Sequence, residues 1–90
     1  MYKIKKYSFD RAKEIGVIIE PSTKGNYKID VFNLNKEYIT SIGDKSYLDY
    51  PTYLRIYGPE VANKRRKLFH LRHKSYPKYS RGWFSKNILW

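Results

Sequence analysis

The chain has 90 residues, 41% of them hydrophobic and 18% aromatic, with 19 Lys or Arg against eight Asp or Glu and no Cys. That length makes one small domain, the apolar content excludes wholesale disorder, and the lack of Cys excludes disulfide staples and thiolate metal ligands. No apolar run approaches the ~18 residues of a spanning helix, and "MYKIKKYSFD" lacks the apolar core of a signal peptide, so the expectation is a soluble intracellular protein with no membrane contact.

The net charge of +11 is unevenly placed. Residues 1 to 45 hold nine basic and six acidic side chains; residues 46 to 90 hold ten and two. Such a domain repels itself and attracts polyanions, of which nucleic acid is the commonest inside a cell.

In chain order, Ser8 is placed to cap a short helix through its hydroxyl. Phe9, Ala12 and Ile15 follow at helical spacing, and Gly16 is the stop. "VIIEP" is a β-branched run closed by Pro21 and reads as a strand. "STKGN" is a loop. "YKIDVFNL" alternates, with Tyr27, Ile29 and Val31 on one face and Lys28, Asp30, Phe32 and Leu34 on the other. "EYITSIG" is a third strand, joined to the second by a tight turn at "NK". A lone three-stranded meander needs something packed on its apolar face.

The second half supplies it. Asp49 before Pro51 is a helix start, and Gly58 ends the short helix that follows. Pro59 opens the next helix, with Glu60 near its positive end, and it runs to about Ser75 before Pro77. "YPKYSRG" reads as an exposed linker, and "WFSKNILW" is apolar enough to dock on the core. The expected architecture is a single α+β domain over residues 1–90. It has a short N-terminal helix, a three-stranded antiparallel meander and two to three C-terminal helices packed on one face.

The stretch "VANKRRKLFHLRHKS", residues 61–75, carries six Lys or Arg and two His. On a wheel of ~100° per residue, Val61, Leu68, Phe69 and Leu71 form an apolar arc expected to face the core. Asn63, Arg66, Lys67, His70, His73 and Lys74 form the opposite, basic face. Arg65 and Arg72 fall inside the apolar arc. Two readings of this pair stand open. Their guanidinium groups reach an acidic partner (Asp49, Glu60 or Asp30) or carbonyls along the core edge, or both line a groove where phosphate or an acidic side chain docks.

A face built for solubility mixes signs; this one has no acid after Glu60. Nucleic acid is therefore the expected partner, duplex DNA ahead of RNA, bound with little sequence preference. Lys64, Arg66, Lys67, His70, His73 and Lys74 are the expected phosphate contacts, and Arg55, Lys78 and Arg81 extend the patch. Arg65 and Arg72 position the helix or reach phosphate through the groove. Such contacts carry no sequence information by themselves. Tyr76 and Tyr79 beside Lys78 and Arg81 either stack on bases or pack down onto the helices.

Catalysis is not expected. His70 and His73 lack the further ligands of a metal site. No phosphate loop, nucleophile elbow or paired carboxylates appear, so no cofactor is expected. The rival reading is an interaction module for an acidic protein. The aromatic C-terminal segment admits a homodimer interface as an alternative to a core plug.

The set "IEPS", "KIDVF", "SIG", "DYPTY", "ANKRRKLFHLRH" and "NILW" resembles a family of small, basic, functionally uncharacterised proteins of nucleocytoplasmic large DNA viruses and related elements of giant viruses. The resemblance covers nearly the whole chain and is most specific at "DYPTY", at Arg65, Arg66, Arg72 and His73, and at the closing "LW". The chain departs from the family in "YPKYSRGWF", where a longer, glycine-bearing segment is the pattern. The resemblance implies a viral setting, with a genome-associated accessory role in the virion or the infected cell. It carries no catalytic or ligand residues.

Overall fold

The computed structural model describes all 90 residues, Met1–Trp90. The elements run α1 (Lys6–Ile15), β1 (Ile18–Pro21), β2 (Tyr27–Phe32), β3 (Tyr38–Asp44), α2 (Tyr50–Tyr57), α3 (Pro59–Arg72) and α4 (Arg81–Ile88). The expected α+β architecture is present, with the sheet in the order β1-β2-β3 and both pairs antiparallel. No helix is long and apolar enough to cross a membrane.

The register explains the core. Ile19 pairs with Val31 and Ile29 with Ile42, so these four β-branched side chains share one face. Ala12 of α1 and Phe84, Ile88 and Leu89 from the α4 segment close over them. The C-terminal segment is thus a core plug. Asn33 sets the β2–β3 turn: its Oδ1 accepts from the backbone N–H groups of Asn35 and Glu37, each at 2.9 Å.

Helix boundaries follow local chemistry with one exception. Gly16 ends α1 with φ 79°, in the left-handed region that costs a glycine nothing. Asp49 caps α2 by accepting from the Thr52 N–H at 3.0 Å, with Pro51 in the first turn. The exception is Ser8. The helix begins two residues earlier, and Lys5 at its N-cap makes no side-chain bond. Ser8 is buried inside α1 and donates to the Ile88 carbonyl at 2.8 Å, tying α1 to α4. A hydroxyl is a good cap only where the backbone needs one; here a carbonyl on a distant element competes for it. Of the residues at helical spacing, Phe9 is exposed, and the buried line is Ser8 and Ala12.

The alternation expected of β2 is also incomplete, because Lys28 and Asp30 are buried with Ile29 and Val31. Asp30 accepts from Ser22 and Ser41, each at 2.6 Å, and pairs with Lys24 at 3.2 Å. Lys28 pairs with Asp49 at 2.9 Å, their side chains 5% and 1% exposed, and the Tyr2 hydroxyl donates to the same carboxylate at 2.6 Å. Burial pushes both carboxyls up. Hydrogen bonds from Ser22, Ser41 and Lys24 at Asp30, and from Thr52 and Tyr2 with the Lys28 charge at Asp49, outweigh it and hold both below the ordinary carboxylate range.

Candidate nucleic-acid interface

Helix α3 is turned about its axis relative to the wheel reading. Its buried and half-buried line is Ala62, Arg66, Phe69, His70 and, just past its end, His73. The expected core arc faces outward: Val61 is 39% exposed, Leu68 43% and Leu71 54%. The cause lies at Trp90. Phe69 stacks on its indole with centroids 4.4 Å apart and planes within 5°. The Trp90 backbone oxygen accepts from Arg66 Nε–H at 2.6 Å and lies 3.2 Å from His70 Nε2. Turning the leucines inward would strip that oxygen of both side-chain partners. Arg66 also lies over the Tyr50 ring, 5.0 Å from its centroid.

Three of the expected phosphate contacts are therefore occupied inside the fold. Arg66 and His70 hold Trp90, and His73 is stacked between Phe69, 4.2 Å away, and Tyr76, 5.8 Å away. His73 Nδ1 and the Tyr76 hydroxyl also form a short hydrogen bond. The other expected cations stay outside. Lys64, Arg65, Lys67, Arg72 and Lys74 are all exposed. None takes part in an ion pair; the four pairs are Lys6–Asp10, Arg11–Glu14, Lys24–Asp30 and Lys28–Asp49. Asp30 and Asp49, two of the acids weighed as partners for Arg65 and Arg72, are thus engaged elsewhere.

Both of these arginines line a cleft of about 490 Å³ between α3, the β3–α2 loop and the Trp90 segment. Arg65 lies over the Tyr53 ring at 5.7 Å. Tyr47, Leu48 and Leu68 supply apolar walls, and Asp44 and Lys28, the latter paired to Asp49, sit at the sheet side. A second cavity of about 580 Å³ adjoins it, sharing Gly43, Asp44, Phe69, His73 and Ser85, with Arg81 on its far wall. The Asp44 carboxyl is held below its ordinary value chiefly by the backbone N–H of Ser46.

The linker rings pack down and do not stand free. Tyr76 lies flat on Gly82, where any Cβ would enter its ring. Gly82→Ala must therefore displace Tyr76 and loosen its stack with His73. The expected loss is about 1–3 kcal/mol, read as a lower urea midpoint. Tyr79 is exposed but sits edge-on to Trp83 at 5.2 Å. Arg81 is tied to the sheet by Nε–H to Thr40 Oγ1 at 3.3 Å and lies 5.0 Å above Tyr27. Lys78 lies 5.1 Å above Tyr79. Arg55 is exposed on α2, within Coulombic reach of Lys5. Lys86 of α4, not foreseen from sequence, reaches the Lys74 carbonyl at 3.0 Å and adds a cation beside the linker.

No three His, Asp or Glu side chains are grouped so as to hold a metal ion. No protein-family model, curated protein or solved structure matches this chain.

Proposed function

We propose that this protein binds duplex DNA without reading its sequence, through the exposed side of α3. The supporting observation is the row Lys64, Arg65, Lys67, Arg72 and Lys74: five exposed cations with no acidic partner among the ion pairs. Like charges so close together repel, and a row of phosphates relieves that repulsion. Over the helical part, Lys64 to Arg72, these cations span about 12 Å at 1.5 Å per residue, room for on the order of four phosphates along the duplex. Lys78, Lys86 and Arg81 continue it; Arg66, His70 and His73 act by fixing the helix. The resemblance to proteins of large DNA viruses fits a genome-associated role in a virion or an infected cell.

The test is fluorescence anisotropy with a labelled random duplex from about 50 to 200 mM salt. A slope of log affinity against log salt near −4 is expected, at about −0.9 per phosphate neutralised. Changing Lys64, Lys67, Arg72 and Lys74 together to Glu should flatten the slope and weaken binding at least about 100-fold at the lowest salt. Unchanged binding by that variant overturns the proposal.

A second reading has its own observation. Val61, Leu68 and Leu71 are exposed among the cations, and phosphates gain nothing from them. An acidic amphipathic helix would use both the leucines and the lysines. Such a partner would stay bound at physiological salt where duplex is lost. Self-association through the same face is opposed by the net charge of +11.

A further inference from the structure

We infer that the cleft beside α3 is a subsite for one unpaired nucleotide, with its phosphate on Arg65 and Arg72 and its base against Tyr47. The inference rests on the duplex-binding reading and extends it: the protein should prefer duplex ends or junctions that offer an unstacked base.

Four features lead there. The first is size, since about 490 Å³ falls within the range of small-ligand sites. The second is charge. Arg65 and Arg72 open on one wall with no carboxylate paired to either, and both belong to the proposed phosphate row. A strand tracked along α3 therefore passes the mouth of the cleft. The third is an available ring. The rings of Phe69, His73 and Tyr76 are already stacked within the fold. Tyr47 is 72% exposed, lines the cleft, and stacks on nothing. Bases of every kind can stack on such a ring.

The fourth is Asp44, which would repel a phosphate but suits a base edge. Its Oδ1 accepts from Asn26 Nδ2–H and the Ser46 N–H, both at 2.7 Å. Its Oδ2 has no hydrogen-bond partner. A free carboxylate oxygen accepts from the exocyclic amino group of cytosine; on thymine it meets a carbonyl oxygen at that position and has only the N3–H beside it as a donor. The cleft should therefore favour cytosine over thymine. Asp44→Asn keeps one acceptor for the Ser46 turn and replaces Oδ2 with a donor, so it should reverse that preference.

The experiment measures anisotropy of three labelled duplexes that differ only at one end: blunt, with a short oligo-cytosine overhang, or with a short oligo-thymine overhang. The wild type should bind the cytosine overhang at least about fivefold more tightly than the blunt end, the lower bound of one stacked base. Tyr47→Ala changes an exposed ring and no charge, so it should erase the overhang gain and leave blunt binding intact. Asp44→Asn should bind the thymine overhang the more tightly. Equal affinity for all three duplexes overturns the subsite and leaves the duplex reading standing. Failure to bind any of them overturns both. An overhang gain that survives Tyr47→Ala and does not reverse in Asp44→Asn overturns the subsite, because the extra strand is then held elsewhere.

Discussion

Asp49→Ala should cost this domain about 3–5 kcal/mol, the effect of leaving one member of a buried ion pair alone. Three losses coincide at that carboxylate. The Thr52 N–H loses its cap, the Tyr2 hydroxyl loses its acceptor, and the Lys28 ammonium, with its side chain 5% exposed, loses its counter-charge. A domain of this size has little more than that to lose, so the variant should be largely unfolded in urea-free buffer by far-UV circular dichroism. Lys28→Met should be milder. It also strands a charge, the Asp49 carboxylate, but that carboxylate keeps two donors, the Thr52 N–H and the Tyr2 hydroxyl, and the helix cap survives. If Lys28→Met proves as damaging as Asp49→Ala, the stranded charge, and not the lost hydrogen bonds, sets the cost.

The same carboxylates give stability a direction with pH. Asp49 and Asp30 have folded-state pKa values below the unfolded value of about 3.9. Their contribution is complete above that value and is lost as pH falls through the folded values, because the unfolded chain then binds protons first. Urea midpoints should be flat from pH 7 to 5 and fall below pH 4. Asp49→Asn, which keeps an acceptor for Thr52, should show a shallower acid limb. An unchanged limb would assign the acid sensitivity to the other two depressed carboxyls, Asp30 and Asp44.

Phe84→Ala should also cost about 3–5 kcal/mol, by lost burial and an unfilled cavity. Phe84 is fully buried in the core, under the edge of Trp83 at 5.2 Å and beside Tyr79 at 6.2 Å. It is the largest fully buried side chain, and α4 bridges α1 and β3. Losing it loosens both contacts at once. Phe84→Leu, which nearly conserves volume, should cost under about 1.5 kcal/mol and shift Trp fluorescence less. Equal costs for the two would mean that the ring's shape, and not its volume, is what the core requires.

How far the chain could be read without its fold differs by feature. Strands, turns and helix limits were legible because their causes are local. Gly16, Asp49 and Pro59 act on backbone groups within about four residues; α3, expected to run to about Ser75 before Pro77, stops at Arg72. Ser8 shows the limit: its pattern fits a cap, but its hydroxyl bonds Ile88, eighty positions away. The candidate site was legible in part. That Arg65 and Arg72 border a groove was one of the two readings their spacing allowed, and both do line the cleft.

The basic face was misread at Arg66, His70 and His73 for a physical reason. A wheel assumes that leucine faces in and charge faces out. Which face of α3 turns inward depended instead on Trp90, whose indole needed a flat partner in Phe69 and whose backbone oxygen needed donors. Lys28 and Asp30 were likewise placed outside, because nothing in an alternating strand marks a lysine that will meet a buried carboxylate. The amino-acid sequence by itself determined the α+β order of elements, most of their limits and the positive charge of the second half, since these depend on local backbone chemistry and composition. Only the tertiary structure decided which cations point outward and where the cleft opens, since that depends on the groups distant elements present to one another.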